Sequence, residues 1–105
     1  MANKIKVVIK EVGASPREAE VLNNLKTFQT LVDGFIEVVS VNIAGKNGLM
    51  VINEEGKLRG DCKFNFDYKG LDQIFGDAVF IGSHGDNFSN CPFSVEEVEG
   101  FLNDV

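Results

Sequence analysis

The chain has 105 residues, 44% of them hydrophobic, with nine Phe, no Trp and two Pro, which suits one globular domain with a single core rather than a disordered chain. No apolar run approaches the ~20 residues that span a bilayer, and Met1-Ala2-Asn3-Lys4 leads straight into a strand-like run, so neither a membrane segment nor a secretory leader is expected. The net charge is −6 and uneven: residues 61–105 hold Lys63 and Lys69 against nine carboxylates, −7, a poor surface for a phosphate backbone. A cytoplasmic location follows as the expectation, with Cys62 and Cys91 reduced rather than paired.

In chain order, residues 4–12 alternate and are rich in β-branched side chains, which predicts a strand. Gly13-Ala14-Ser15-Pro16 breaks it, and residues 17–22 alternate charge with Ala19, Val21 and Leu22 as a short second strand. Asn23 or Asn24 then caps a helix over residues 25–32, where Leu25, Phe28, Leu31 and Val32 share one face and Gly34 stands as the C′ residue. Residues 35–43 give the strongest strand signal, followed by a hairpin-like turn over residues 44–48 and a return strand over residues 49–52. Residues 57–76 lack periodicity and predict a loop with a helical turn near Leu71 and Ile74, its Phe64, Phe66 and Tyr68 covering a sheet face. Residues 78–81 form a short, fully apolar strand, expected to be central. Ser94-Val95-Glu96-Glu97 is a capping box opening a final helix to about Asn103, with Val95, Val98, Phe101 and Leu102 on its buried side. The sum is an α+β fold: a mostly antiparallel sheet of four or five strands with two helices, in a single domain spanning residues 1–105.

One stretch stands apart. Residues 82–92 run Gly-Ser-His-Gly-Asp-Asn-Phe-Ser-Asn-Cys-Pro, and irregular loops of that length tend to be functional or pinned. Cys62, His84 and Cys91 supply soft and borderline donors suited to tetrahedral zinc, with Asp86 as the expected fourth ligand and Asp61 the other candidate. Such an ion would be structural and would tie the loop to the Cys62 segment. The residues leave two other readings open: small buried thiols with a solvated histidine, or a Cys–His hydrolase, for which no nucleophile elbow is present. Gly82-x-x-Gly85 is not a phosphate loop, since no Gly-Lys-Ser/Thr follows. No catalytic residue is expected.

The run Gln29-x-x-Val32-x-Gly34-Phe35-Ile36-Glu37, then Asn53-Glu54-Glu55-Gly56-Lys57-Leu58, then Gly76-Asp77-Ala78 with Gly82, resembles a family catalogued as domain of unknown function 3846. The Ser94-x-x-Glu97 helix start fits it as well, whereas Cys62, His84 and Cys91 depart from its pattern. The resemblance implies an accessory product of a phage or mobile element of Gram-positive bacteria, and it carries no catalytic residues. Joined to the acidic second half, it leads to the expectation of a stoichiometric inhibitor of a host defence nuclease. Such an anti-CRISPR protein would bind a Cas9-type effector through that effector's basic surface and would not bind nucleic acid itself. The alternative is a module that sequesters a small molecule or nucleotide.

Overall fold

In the computed structural model, residues 3–68 and 72–103 are described. Ten elements follow one another: β1 Lys4–Lys10, β2 Arg17–Leu22, α1 Leu25–Val32, β3 Ile36–Ile43, β4 Lys46–Asn53, β5 Phe64–Tyr68, β6 Asp72–Phe75, β7 Ala78–His84, β8 Asn87–Ser89 and α2 Val95–Asn103. The main sheet runs β2-β1-β7-β4-β3, with every neighbouring pair antiparallel, and β8 pairs with the second half of β7. β5 and β6 form a separate hairpin. The fold is α+β, as the element pattern implies.

β7 is central, and its composition explains why. Phe80 pairs with Val8 of β1 on one side and Met50 of β4 on the other. Residues 78–81 are all fully buried because both faces of the sheet are covered, so the strand is apolar without alternation. On one face α1 lays Phe28 and Val32 against a core containing Val7, Val51, Val79 and Ile81. On the other, α2 and the β5–β6 hairpin close over Val8, Met50, Phe80 and Phe93, with Phe66 stacked 6.4 Å from Phe80. Burying a side chain such as Phe80 is worth about 2–3 kcal/mol.

The helix ends follow the capping rules with one substitution of roles. Asn24 is the N-cap of α1, its side chain accepting from the Thr27 amide at 2.8 Å. At the other end the left-handed residue is Asp33 (φ 60), not Gly34 as the sequence suggests. The Asp33 amide donates to Thr30 and the Gly34 amide to Gln29, which is a Schellman closure with Gly34 one place further on. The capping box of α2 is present in full: the Ser94 amide donates to Glu97 at 2.9 Å and the Glu97 amide to the Ser94 hydroxyl at 3.0 Å. Val98 is fully buried on its inner side, with Val95, Phe101 and Leu102 packed around it.

Three further expectations change. The β3–β4 turn is only Ala44-Gly45, both with positive φ (53 and 77), a two-residue type I′ turn that lengthens β4 back to Lys46. The helical turn expected near Leu71 and Ile74 is absent at Ile74, which lies in strand β6, while Leu71 is outside the described residues. In the same stretch, expected as a loop, residues 64–68 form strand β5, where cross-strand packing against β6 overrides the missing β-branched residues. Residues 82–92 are not an irregular loop. β7 continues to His84, Gly85-Asp86 makes a tight turn with Gly85 at φ 61, and β8 returns beside it.

Candidate functional site

The four residues expected to bind zinc occupy different environments. Cys91 is buried in the core under α2, its Sγ 3.6 Å from the Phe93 carbonyl, and burial pushes its thiol pKa up. His84 and Asp86 are exposed at the β7–β8 turn. Cys62 is half-buried before β5, among Val12, Leu31, Asp33 and Asp77. Both cysteines are free, and among the described residues no three His, Cys, Asp or Glu side chains are grouped to hold a metal.

What pins residues 82–92 is hydrogen bonding. Gly82 pairs with Ser89, Ser83 with Phe88 and His84 with Asn87. Beyond β8, the Asn90 side chain accepts from the Lys6 amide and the Cys91 amide donates to the Lys6 carbonyl, both at 2.8 Å. The Asn23 side chain donates to the Phe88 carbonyl, and the Phe88 ring meets Phe28 edge to face at 5.3 Å. Gly82 is required for this closeness: a Cβ there would lie 2.2 Å from the Asn90 carbonyl oxygen. The segment that looked unanchored is sewn into the sheet by its own backbone.

A different corner gathers unusual features. β3 begins and β4 ends side by side, Ile36 opposite Asn53, with the Glu54 amide donating to the Phe35 carbonyl at 2.8 Å. Asn53 is the buried polar side chain of the described residues. Its amide nitrogen donates to the Val32 and Asp33 carbonyls, 2.9 and 3.0 Å, and its oxygen accepts from the Glu55 amide at 2.7 Å. One side chain thus closes the C-terminus of α1 and starts the turn after β4. Arg59 reinforces it, donating to the Asp33 carbonyl and carboxylate and to both carboxylate oxygens of Asp61. Those hydrogen bonds to Asp61 and Asp33 raise the guanidinium pKa further, so Arg59 stays charged.

Beside this corner lies a cleft of about 310 Å³ on the α2 side of the sheet. Glu37 and Ile52 come from the sheet, Glu54, Lys57 and Leu58 from the turn after β4, and Gln73, Ile74 and Phe75 from β6. Ile52 and Ile74 form an apolar floor. Leu58, 86% exposed, and Phe35, 66% exposed, stand out as large apolar groups in solvent. The Glu37 and Glu54 carboxylates are exposed and make no hydrogen bond or ion pair among the described residues. Lys57 also lines the cleft. Of these residues, Glu37 and the stretch from Asn53 to Leu58 belong to the motif segments in the sequence. Gln73 and Phe75 carried no signal of their own, because β6 itself was hidden.

The molecule is therefore an α+β domain whose described part presents a mixed apolar and acidic corner. The chain belongs to the domain of unknown function DUF3846 family, whose model matches residues 5–102. No curated protein and no solved structure matches it. Among the described residues no helix is long and apolar enough to cross a membrane.

Proposed function

We propose that the protein is a non-enzymatic, stoichiometric inhibitor that docks on a basic, nucleic-acid-handling host protein in the cytoplasm, with a Cas9-type effector as the leading target. The observation that carries this reading is the exposure of its carboxylates. Asp67 on β5, Asp86 at the β7–β8 turn, and Glu96 and Glu99 on α2 all face solvent, and none forms an ion pair among the described residues. Such a field attracts a basic surface, speeds encounter and repels a phosphate backbone. A nucleotide-sequestering module, the other reading, calls for cations around its cleft, whereas Glu37 and Glu54 stand beside Lys57 here.

Glu97 differs from its neighbours. It closes the capping box and pairs with Lys46 at 3.0 Å, so it serves the fold, and the charges free to steer a partner are Glu96 and Glu99. The test is a DNA-cleavage assay with the protein in molar excess, added before or after target DNA. Cleavage falls when the protein is added first, and Glu96→Lys or Glu99→Lys slows association without lowering the melting temperature. Undiminished cleavage in both orders, across several type II effectors, contradicts the proposal.

A further inference from the structure

The type I′ turn fixes which way the backbone of β3 points. In a two-residue hairpin the flanking pair, Ile43 and Lys46, exchanges both backbone hydrogen bonds, and every second pair outward does the same. Val41, Val39 and Glu37 therefore bond to β4, while the N–H and C=O groups of Ile36, Val38, Ser40 and Asn42 point away from it. β3 ends the strand order, so that side has no strand beyond it among the described residues. The Ser40 carbonyl is taken by the Tyr68 hydroxyl at 3.3 Å, which blocks the middle of the edge. Among the described residues, no hydrogen bond reaches the outward backbone groups of Ile36 and Val38 at the beginning of the strand.

We infer that this open edge at residues 36–38, together with the adjoining cleft, forms one docking site for an extended, arginine-bearing segment of a partner protein. The inference rests on the reading of the protein as one that docks on a basic partner, and it names where and how. A strand added beside β3 satisfies the outward backbone groups of Ile36 and Val38, the strand-addition mode of recognition. Its residue facing Glu37 projects to the same side of the sheet, into the neighbourhood of the cleft. That position suits a long side chain with an apolar stem and a cationic head: the stem lies along Ile52, Ile74 and Leu58, and the head meets the unpaired Glu37 and Glu54 carboxylates. Arginine fits better than lysine because its planar fork engages two acceptors at once. The edge and the carboxylates are separate observations, and one ligand answers both.

The test is a titration of the isotopically labelled protein, followed by amide chemical shifts, with an acetylated and amidated heptapeptide alternating Val and Arg. Shifts are expected at residues 36–38, 54–58 and 73–75. Glu37→Gln with Glu54→Gln weakens binding by about tenfold or more, the size of a lost charge-assisted hydrogen bond. Glu96→Gln with Glu99→Gln changes it much less. A peptide N-methylated at alternate residues loses binding, since it cannot pair with the edge. Shifts centred elsewhere, equal binding by a Val–Glu peptide or by arginine amide alone, or equal weakening by the α2 pair overturns the site. Peptide binding at this corner with undiminished nuclease cleavage keeps the site and removes the inhibitor reading; inhibition without peptide binding does the reverse.

Discussion

Residues 54–63 and residues 82–92 look alike in sequence, both polar, glycine-bearing and aperiodic, yet the fold treats them oppositely. The second becomes a hairpin whose backbone groups pair with β7 and β1. The first remains a turn, held at its base by the side chains of Asn53 and Arg59, and it carries Glu54 and Leu58 into solvent. Backbone pairing uses the chain's polar groups internally and leaves little to offer a partner. Side-chain anchoring fixes a turn while leaving its surface free, the arrangement on which binding loops depend.

The sharpest way to break this contrast is Gly82→Ala. The added Cβ meets the Asn90 carbonyl, a backbone atom that cannot swing aside, and the β7–β8 pairing must open. A loss on the order of 3 kcal/mol is expected in urea denaturation. Next comes Asn53→Ala, which strands the Val32 carbonyl and the Glu55 amide near the base of the turn and leaves the Asp33 carbonyl to Arg59 alone. The expected cost is about 2 kcal/mol, with faster hydrogen exchange at residues 54–59 and little change at 82–92.

Cys91→Ser is smaller, about 1 kcal/mol, from placing a hydroxyl where a thiol is buried. Because hydrogen bonding anchors that segment, a chelator leaves the melting temperature of the parent protein unchanged. A fall in melting temperature on chelation would restore a metal to Cys62, His84 and Cys91.

The smallest effect is pH-dependent. The Ser94 amide, and after it the Lys46 ammonium, hold the Glu97 carboxyl below its usual range. A depressed carboxyl stabilises the fold above its unfolded pKa, about 4.3, and that contribution is lost as pH falls through the lower folded value. Glu97→Gln therefore lowers stability near neutrality and flattens the acid side of the melting-temperature profile. An unchanged profile would mean that the capping box contributes no charge-dependent stability.

These contrasts also show what a sequence reveals. Local rules with a fixed register were legible: an asparagine cap at 23 or 24, Ser94 with Glu97 as a box, and residues 78–81 as a central strand. β8 was not, because Asn87 and Ser89 on either side of Phe88 carry no strand signature and the pairing is imposed by β7. The left-handed Asp33 was hidden behind a more permissive glycine at the next position. Cys62, His84 and Cys91 drew notice through rarity, but rarity along a chain does not make proximity in space. Conversely, Glu37 and Glu54 stood in motif segments far apart along the chain, and only the β3–β4 register set them at one corner.

Hydrogen exchange of the protein alone and bound to a Cas9-type effector tests the central claim most directly. The account predicts new protection at residues 36–38 and 54–62, with residues 82–92, already paired in the free protein, little changed. Protection confined to residues 82–92, or none at either region in a complex that forms, would contradict it.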